Sequence, residues 1–391
     1  MGVINARRAL DLVMRLMHIP GISGQEAKIA DEIRRCLCEW GIPASSISHD
    51  SAHRRTPLAG EVGNLIVRLP GDRKRPRIML SAHMDTVPIC QGSRPKRNGQ
   101  MIESANRSTG LGADDRAGVA VVLTAMQAAI EQQISLPPIT LCFFIQEEIG
   151  LQGSRHLSVN RLGKPQVAFN FDGGSPLKMT VGATSGERIR ICLRGIPAHA
   201  GLAPQDGASA IHAAGLAIAD LQRSGWLGQV RKGRRRGTSN IGVIQGGNAT
   251  NVVCETCELQ AEARSHDGEF RQEIVNRICE AFEKAANQTV SSAGHSVIAE
   301  ISRRVDYEAF RLPDDSPAIV LLEKAMEALH LQPTRSVTDG GVDANWLVKH
   351  GIPTVTLGCG QRNVHTDKEK LHIEDYILAC RIALKVIENA T

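Results

Sequence analysis

Five short segments of this chain carry a carboxylate or an imidazole, and most of them follow an apolar, strand-like run. They are residues 81–85 with His83 and Asp85, 113–115 with Asp114 and Asp115, 146–148 with Glu147 and Glu148, 170–172 with Asp172, and 363–365 with His365. A strand that ends in such a residue delivers it to an edge of its sheet. If the strands are parallel, all of them arrive at the same edge, which is where open α/β sheets build their sites. Two histidines and several carboxylates gathered there make a site for two metal ions.

The remaining pattern agrees with a strand–helix alternation. Residues 64–69, 77–82, 139–145 and 166–171 read as strands, and the middle two are apolar enough to be buried on both faces. Helices are expected up to about residue 17, over 25–40, and over 119–131. That alternation implies a mostly parallel sheet covered by helices. The texture changes near Gly186. Residues 188–193, 240–245, 258–265 and 296–302 read as half-exposed strands, with helices over 208–222 and 268–287. Two strand–helix–strand units of that kind describe a two-layer α+β domain. The first texture resumes with a helix over 317–329 and a strand over 354–357. The small domain, residues 186–303, is therefore inserted into a larger one made of residues 1–185 and 304–391.

Composition narrows the function classes. Aromatic residues make up 3% of the 391 positions, so a base-stacking nucleic-acid surface is disfavoured. The net charge of +5 is mild. The sharpest bias, Arg231 to Arg236, reads as a solvated loop rather than a nucleic-acid contact. The ten cysteines are dispersed, and the single C-x-x-C of Cys254 and Cys257 lacks the second pair of a zinc ribbon. The N-terminal segment has charged residues at helical spacing, unlike a signal peptide, and no run is long enough to cross a bilayer. The expected address is the cytoplasm, with no membrane and no nucleic-acid partner.

Each acidic segment has a plain reading beside the chemical one. His83 and Asp85 could be a hydrogen-bonded pair at a strand end, since residues two apart share a side. Asp114 and Asp115 precede a helix, where Asp caps well, yet a carboxylate there can equally bridge two metals. Glu147 and Glu148, adjacent at a strand end, point in different directions. One can bind metal while the other acts as general base. Asp172 and His365 could be an ordinary turn and a solvated loop residue. The conjunction of all five favours the metal reading. Carboxylate and imidazole donors without thiolate suit Zn²⁺, Mn²⁺ or Co²⁺, and the chemistry such a pair offers is hydrolysis.

These segments resemble the M20 family of metallopeptidases, most closely its peptidase T-like (tripeptide aminopeptidase-like) branch. The resemblance spans essentially the whole chain and rests on Ser81-Ala82-His83-Met84-Asp85-Thr86-Val87, Gly112-Ala113-Asp114-Asp115-Arg116-Ala117-Gly118, Gln146-Glu147-Glu148-Ile149-Gly150, Asn170-Phe171-Asp172-Gly173, Gly340-Gly341-Val342-Asp343-Ala344-Asn345 and Asn363-Val364-His365-Thr366. It implies that His83, Asp114 and Asp172 bind one zinc ion and that Asp114, Glu148 and His365 bind the other. Asp85 would orient His83, and a cis peptide would follow Asp114. Glu147 would be the general base for a hydroxide bridging the metals.

The inserted domain would be a lid that also forms a homodimer. Its His199 would stabilise the oxyanion in the partner's site, with Asn251 and Arg264 holding substrate. Arg116 stands where the family usually has Lys, and Cys254 where Pro is common; neither is a proposed ligand. The implied activity is removal of the N-terminal residue of a short peptide such as a tripeptide. The alternative is the same machinery acting on another amide, as a deacetylase or carboxypeptidase.

Overall fold

The computed structural model describes residues 2–390. The chain forms two compact units. One contains the chain up to Gly182, Arg311–Thr338 and the segment from Val342 onward; the other contains Ala183–Phe310 with Asp339–Gly341.

The first unit is built on a nine-stranded sheet among the described residues. Its centre is parallel. Strand Ile139–Phe144 pairs with Ile78–His83, which pairs with Val167–Phe171, which pairs with Thr354–Leu357. All four strands are buried on both faces, which explains their largely apolar sequences, interrupted only by small or polar residues such as Ser81, Thr140, Asn170, Thr354 and Thr356. The flanks are antiparallel: Leu65–Leu69 runs against Ile139–Phe144, and Lys178–Ala183 against Thr354–Leu357. The expectation of a mostly parallel sheet therefore holds for the core alone, and the sheet as a whole is mixed. Residues 64–69 had the composition of a strand, but composition carries no information on direction.

Helix Ala113–Glu131 is buried along almost its whole length, against the sheet and against helix Ile373–Asn389. Its close seat depends on Gly118, where an added Cβ would lie 1.9 Å from the carbonyl oxygen of Phe171. No side chain fits there. That contact brings the start of the helix, with Asp114 and Asp115, against the end of the strand that leads into Asp172.

The second unit is a five-stranded antiparallel sheet ordered Gly228–Lys232, Arg235–Gly246, Thr256–Ser265, Ser185–Arg194 and Ile298–Tyr307. Helices Ala210–Arg223 and Gly268–Gln288 bury Ala213, Ala217, Phe270, Ile274 and Phe282 against it. Residue 303 lies inside the last strand. The stretch from Arg231 to Arg236, expected as a loop, is a hairpin in which Arg231 faces Arg236 and Lys232 faces Arg235. Gly233, with φ of 63°, supplies the left-handed turn. Alternation was hidden there because charged residues occupy both faces.

Candidate metal centre

The four parallel strands end at one edge, and the ligand-type residues sit there. His83 ends its strand. Glu147 and Glu148 follow Ile139–Phe144, Asp172 follows Val167–Phe171, and His365 lies beyond Thr354–Leu357. One donor atom each of His83, Asp114 and Asp172 lie within 4.8 Å of one another, and the same holds for Asp114, Glu148 and His365. Asp114 belongs to both groups. Its Oδ1 is 3.1 Å from His83 Nε2 and its Oδ2 is 3.2 Å from His365 Nε2. His365 Nε2 also lies 2.9 Å from Glu148 Oε2. The Asp114–Asp115 peptide is cis. Gln146, Asn363 and His365 adopt left-handed backbone, with φ between 51° and 63°. Such conformations are uncommon outside glycine and concentrate at functional sites.

Asp85 is fully buried and spreads its carboxylate over several donors. Oδ1 accepts the Glu147 amide at 3.0 Å, and Oδ2 accepts the Glu148 amide at 3.2 Å and the Ser23 hydroxyl at 2.7 Å. His83 Nδ1 lies 3.3 Å from the same Oδ1 and 3.1 Å from the Asp85 carbonyl. One side chain thus fixes both the imidazole and the backbone of the two glutamates.

Several further residues hold the site; sequence reading did not single out Glu369 or Gln361, and gave Asp115, Arg116 and Asp343 no supporting role. Glu369 is buried and accepts three backbone amides, those of Leu111 and Gly112 at 2.8 Å each and Asp114 at 3.0 Å. It lies four residues past His365, so it ties the loops that carry Asp114 and His365 together. Asp115 accepts the amides of His83 at 3.1 Å and Gly118 at 2.9 Å, and the Gln361 side chain at 2.8 Å. Gln361 in turn accepts the Gly173 amide at 2.8 Å. Arg116 is buried and donates to the carbonyls of Met84, Ile19 and Gly21. Asp343 of the glycine-rich motif is buried, and that burial pushes its carboxyl up to about 7. The weak signal for this shell was its position within or beside the ligand motifs.

The electrostatics are those of a cation site. Burial would raise the Asp114 carboxyl, but hydrogen bonds from His365 and His83 outweigh it and hold it well below the usual range. Asp114 and Glu148 push His365 up to about 10. Burial raises Glu148 to about 7 and Asp172 to about 6, with the charge of Asp114 adding to both. Burial also lifts Glu147 well above the ordinary carboxyl range. Protons on the imidazoles balance the carboxylates; a divalent cation would balance them more strongly, displacing those protons. Two imidazoles and three carboxylates without a thiolate fit zinc, manganese or cobalt.

His199, Asn251 and Arg264 lie in the other unit. The His199 and Asn251 loops pair with each other: the Ala200 amide donates to the Asn251 carbonyl at 3.0 Å. His199 is exposed, and its Nδ1 accepts the Gly201 and Leu202 amides at 3.2 Å each. That assigns the proton to Nε2, leaving it as an outward donor. Arg264 is half-buried, and its guanidinium grips Glu262 through two bonds of 3.0 and 3.1 Å.

The sequence profile of the family described as Peptidase family M20/M25/M40 matches residues 79–389. The curated Bacillus subtilis protein named YqjE is 30% identical over 99% of this chain and 100% of its own length. A solved tripeptidase from Staphylococcus aureus superposes with a TM-score of 0.88 at 30% identity, covering 99% of each chain. The aminopeptidase PepT of Bacillus cereus does so with a TM-score of 0.84 at 31% identity, again over 99% of each.

Proposed function

The chain belongs to peptidase family M20/M25/M40 and is a metal-dependent hydrolase, and from that premise we propose that it is a di-zinc aminopeptidase removing the N-terminal residue of tripeptides and other short peptides. The carrying observation is that Asp114 stands in both three-residue donor groups. A carboxylate shared in this way is what a co-catalytic pair requires, since each oxygen can serve one ion. His83 and Asp172 complete one set, and Glu148 and His365 the other. When bound, the two ions would lower the pKa of water and polarise the scissile carbonyl.

The protein's own groups do the rest. Glu147 is the general base and then returns the proton to the leaving amine. Its burial keeps the carboxyl affinity for protons high, which suits a group that must hold a proton between two steps. Asp85 fixes the Glu147 backbone and the His83 ring, so base and ligand keep their separation. His199, acting from a second subunit, would donate Nε2–H to the developing oxyanion. Asn251 and Arg264 would hold the substrate, and Arg264 would exchange Glu262 for the peptide carboxylate. We further assign a homodimer formed through the inserted unit, where Ile211, Leu216, Val243 and Ile244 are exposed. A cytoplasmic location accords with ten free cysteines. No helix among the described residues is long and apolar enough to cross a membrane.

The test supplies zinc-reconstituted protein with Ala-Ala-Ala and with its N-acetylated form. Release of the first alanine from the free peptide alone is the expected outcome. Cleavage of the acetylated form alone would replace this reading with a deacylase or carboxypeptidase.

A further inference from the structure

The opposite edge of the central sheet carries the reverse chemistry. Where strand Leu65–Leu69 ends and strands Ile78–His83 and Ile139–Phe144 begin, a cleft of about 600 Å³ is lined by Arg68, Arg73, Arg77 and Arg161, with Ser45 and Ser46 among its hydroxyl groups. No carboxylate and no aromatic ring lines it. Arg77 donates to the carbonyls of Leu69 at 3.2 Å and Ile139 at 2.8 Å, so its guanidinium is fixed across the strand ends. Arg161 is held by the carbonyl of His49. The side chains of Arg68 and Arg73 have no hydrogen-bond or ion-pair partner among the described residues and are exposed.

Two of the arginines converge rather than splay. A Cβ placed on Gly163 would stand 3.1 Å from Arg68 Nε and 3.1 Å from Arg77 Nε, so two like charges lean toward one point. Partly buried Arg77 feels both its own desolvation and the charge of Arg68, and each lowers its affinity for the proton. Like charges held together without a neutralising carboxylate destabilise a fold by repulsion. An anion in the cleft would relieve that cost and would meet fork-shaped donors suited to phosphate oxygens.

We propose that this cleft binds the oligophosphate chain of a small molecule. Four guanidinium groups match several negative charges in a row, which a single carboxylate does not offer. The volume is that of a small-molecule site. The lack of aromatic lining means that a base would find nothing to stack on, so recognition falls on the phosphates themselves. The cleft begins beside Arg77 and the metal-binding edge at His83, on the order of 20 Å apart at ~3.3 Å per strand residue. The site is therefore separate from the one where peptide is cut, and its occupant acts on stability or regulation.

The experiment compares the metal-loaded wild type with R68Q/R73Q, two residues whose side chains hold nothing else in place. Inorganic tripolyphosphate, ATP and a single-stranded RNA oligonucleotide are titrated calorimetrically at low and at high salt. Chelation of the metals acts equally on both proteins, so the difference between them isolates the cleft. Tripolyphosphate is expected to bind the wild type, with ATP no tighter, and to weaken as salt rises. The double variant should bind it roughly ten- to hundredfold more weakly, as expected of losing charge-assisted contacts. Equal binding by both proteins would overturn the proposal. So would RNA binding more tightly than tripolyphosphate through the same arginines, which would make the cleft a nucleic-acid surface.

Discussion

The candidate metal-binding edge of the first unit and the His199 loop of the second are built to different standards of rigidity. At the edge, His83 and Asp85 are buried, and each is held by neighbours that are themselves held: Asp85 by Ser23 and the Glu147 and Glu148 amides, Asp114 through Glu369. In the second unit, His199 and Asn251 are exposed, and their loops are anchored mainly by backbone bonds to one another. The contrast teaches where error can be tolerated. Ions demand ligand positions fixed to fractions of an ångström, whereas the proposed His199 donor, meeting varied peptides, would work from a surface that can adjust.

The comparison is sharpest at Glu147, whose proposed role is chemical rather than structural. Glu147→Gln keeps the size and the Asp85–amide bond, since that bond is made by the backbone. Turnover should fall by roughly 10²- to 10⁴-fold while metal content by atomic absorption stays at the wild-type stoichiometry. Wild-type-like hydrolysis would remove Glu147 as the base. On the other side of the contrast, His199→Ala should cost about 10²- to 10³-fold in kcat. It should leave metal content unchanged and lower the melting midpoint only slightly, since what it loses is two hydrogen bonds from amides on an exposed loop. A loss of metal in that variant would mean that the two regions are not separable.

What the sequence revealed follows the same division. Strand-end positions were legible because buried parallel strands are dominated by apolar residues, and the charged or imidazole ligand-type residues end that pattern abruptly. Direction was not legible: Leu65–Leu69 reads like its neighbours yet runs against Ile139–Phe144. Residues 240–245 were read as a strand, but its extension to Arg235 and its partner Gly228–Lys232 were missed because charged residues at both faces erase the two-residue period. Glu369 and Gln361, and the role of Asp115 in holding His83 and Gln361, were missed for another reason. Their partners are backbone amides and side chains distant in sequence, and nothing in a carboxylate's local context says which amide it will meet.

Glu369 tests whether that supporting shell matters as much as the ligands. Glu369→Gln keeps an acceptor oxygen but replaces the other with an NH₂ group facing amides that also donate. Of the three bonds to Leu111, Gly112 and Asp114, at least one is lost. Metal affinity, read by competition with a chelator, should weaken by roughly 10- to 100-fold, the range seen when groups that orient ligands are changed. Cobalt-substituted protein gives a second readout, since a displaced Asp114 alters its visible spectrum while a mere loss of stability does not. An unchanged spectrum and affinity would reduce Glu369 to a packing residue.

The smallest effect is expected at Glu26, which accepts the Gln146 amide beside the candidate metal-binding edge. Glu26 is fully buried, accepts the Gly24 amide at 2.8 Å and the Gln146 amide at 3.1 Å, and has no partner for Oε2. Burial, with the charge of Asp85 adding to it, pushes its carboxyl up from 4.5 to about 7. The sign follows from linkage. The folded state keeps this proton over a range in which the unfolded chain has lost it, so the group's stabilising contribution is complete below 4.5 and disappears as pH rises through about 7. Glu26→Gln retains an oxygen for both amides and cannot ionise. The stability of wild type minus that of the variant should therefore fall by roughly 3 kcal/mol between acidic and neutral pH, measured by denaturant unfolding at a series of pH values. A flat difference would show that Glu26 is ionised at neutral pH in the fold, with Gly24 and Gln146 sufficient to hold its charge.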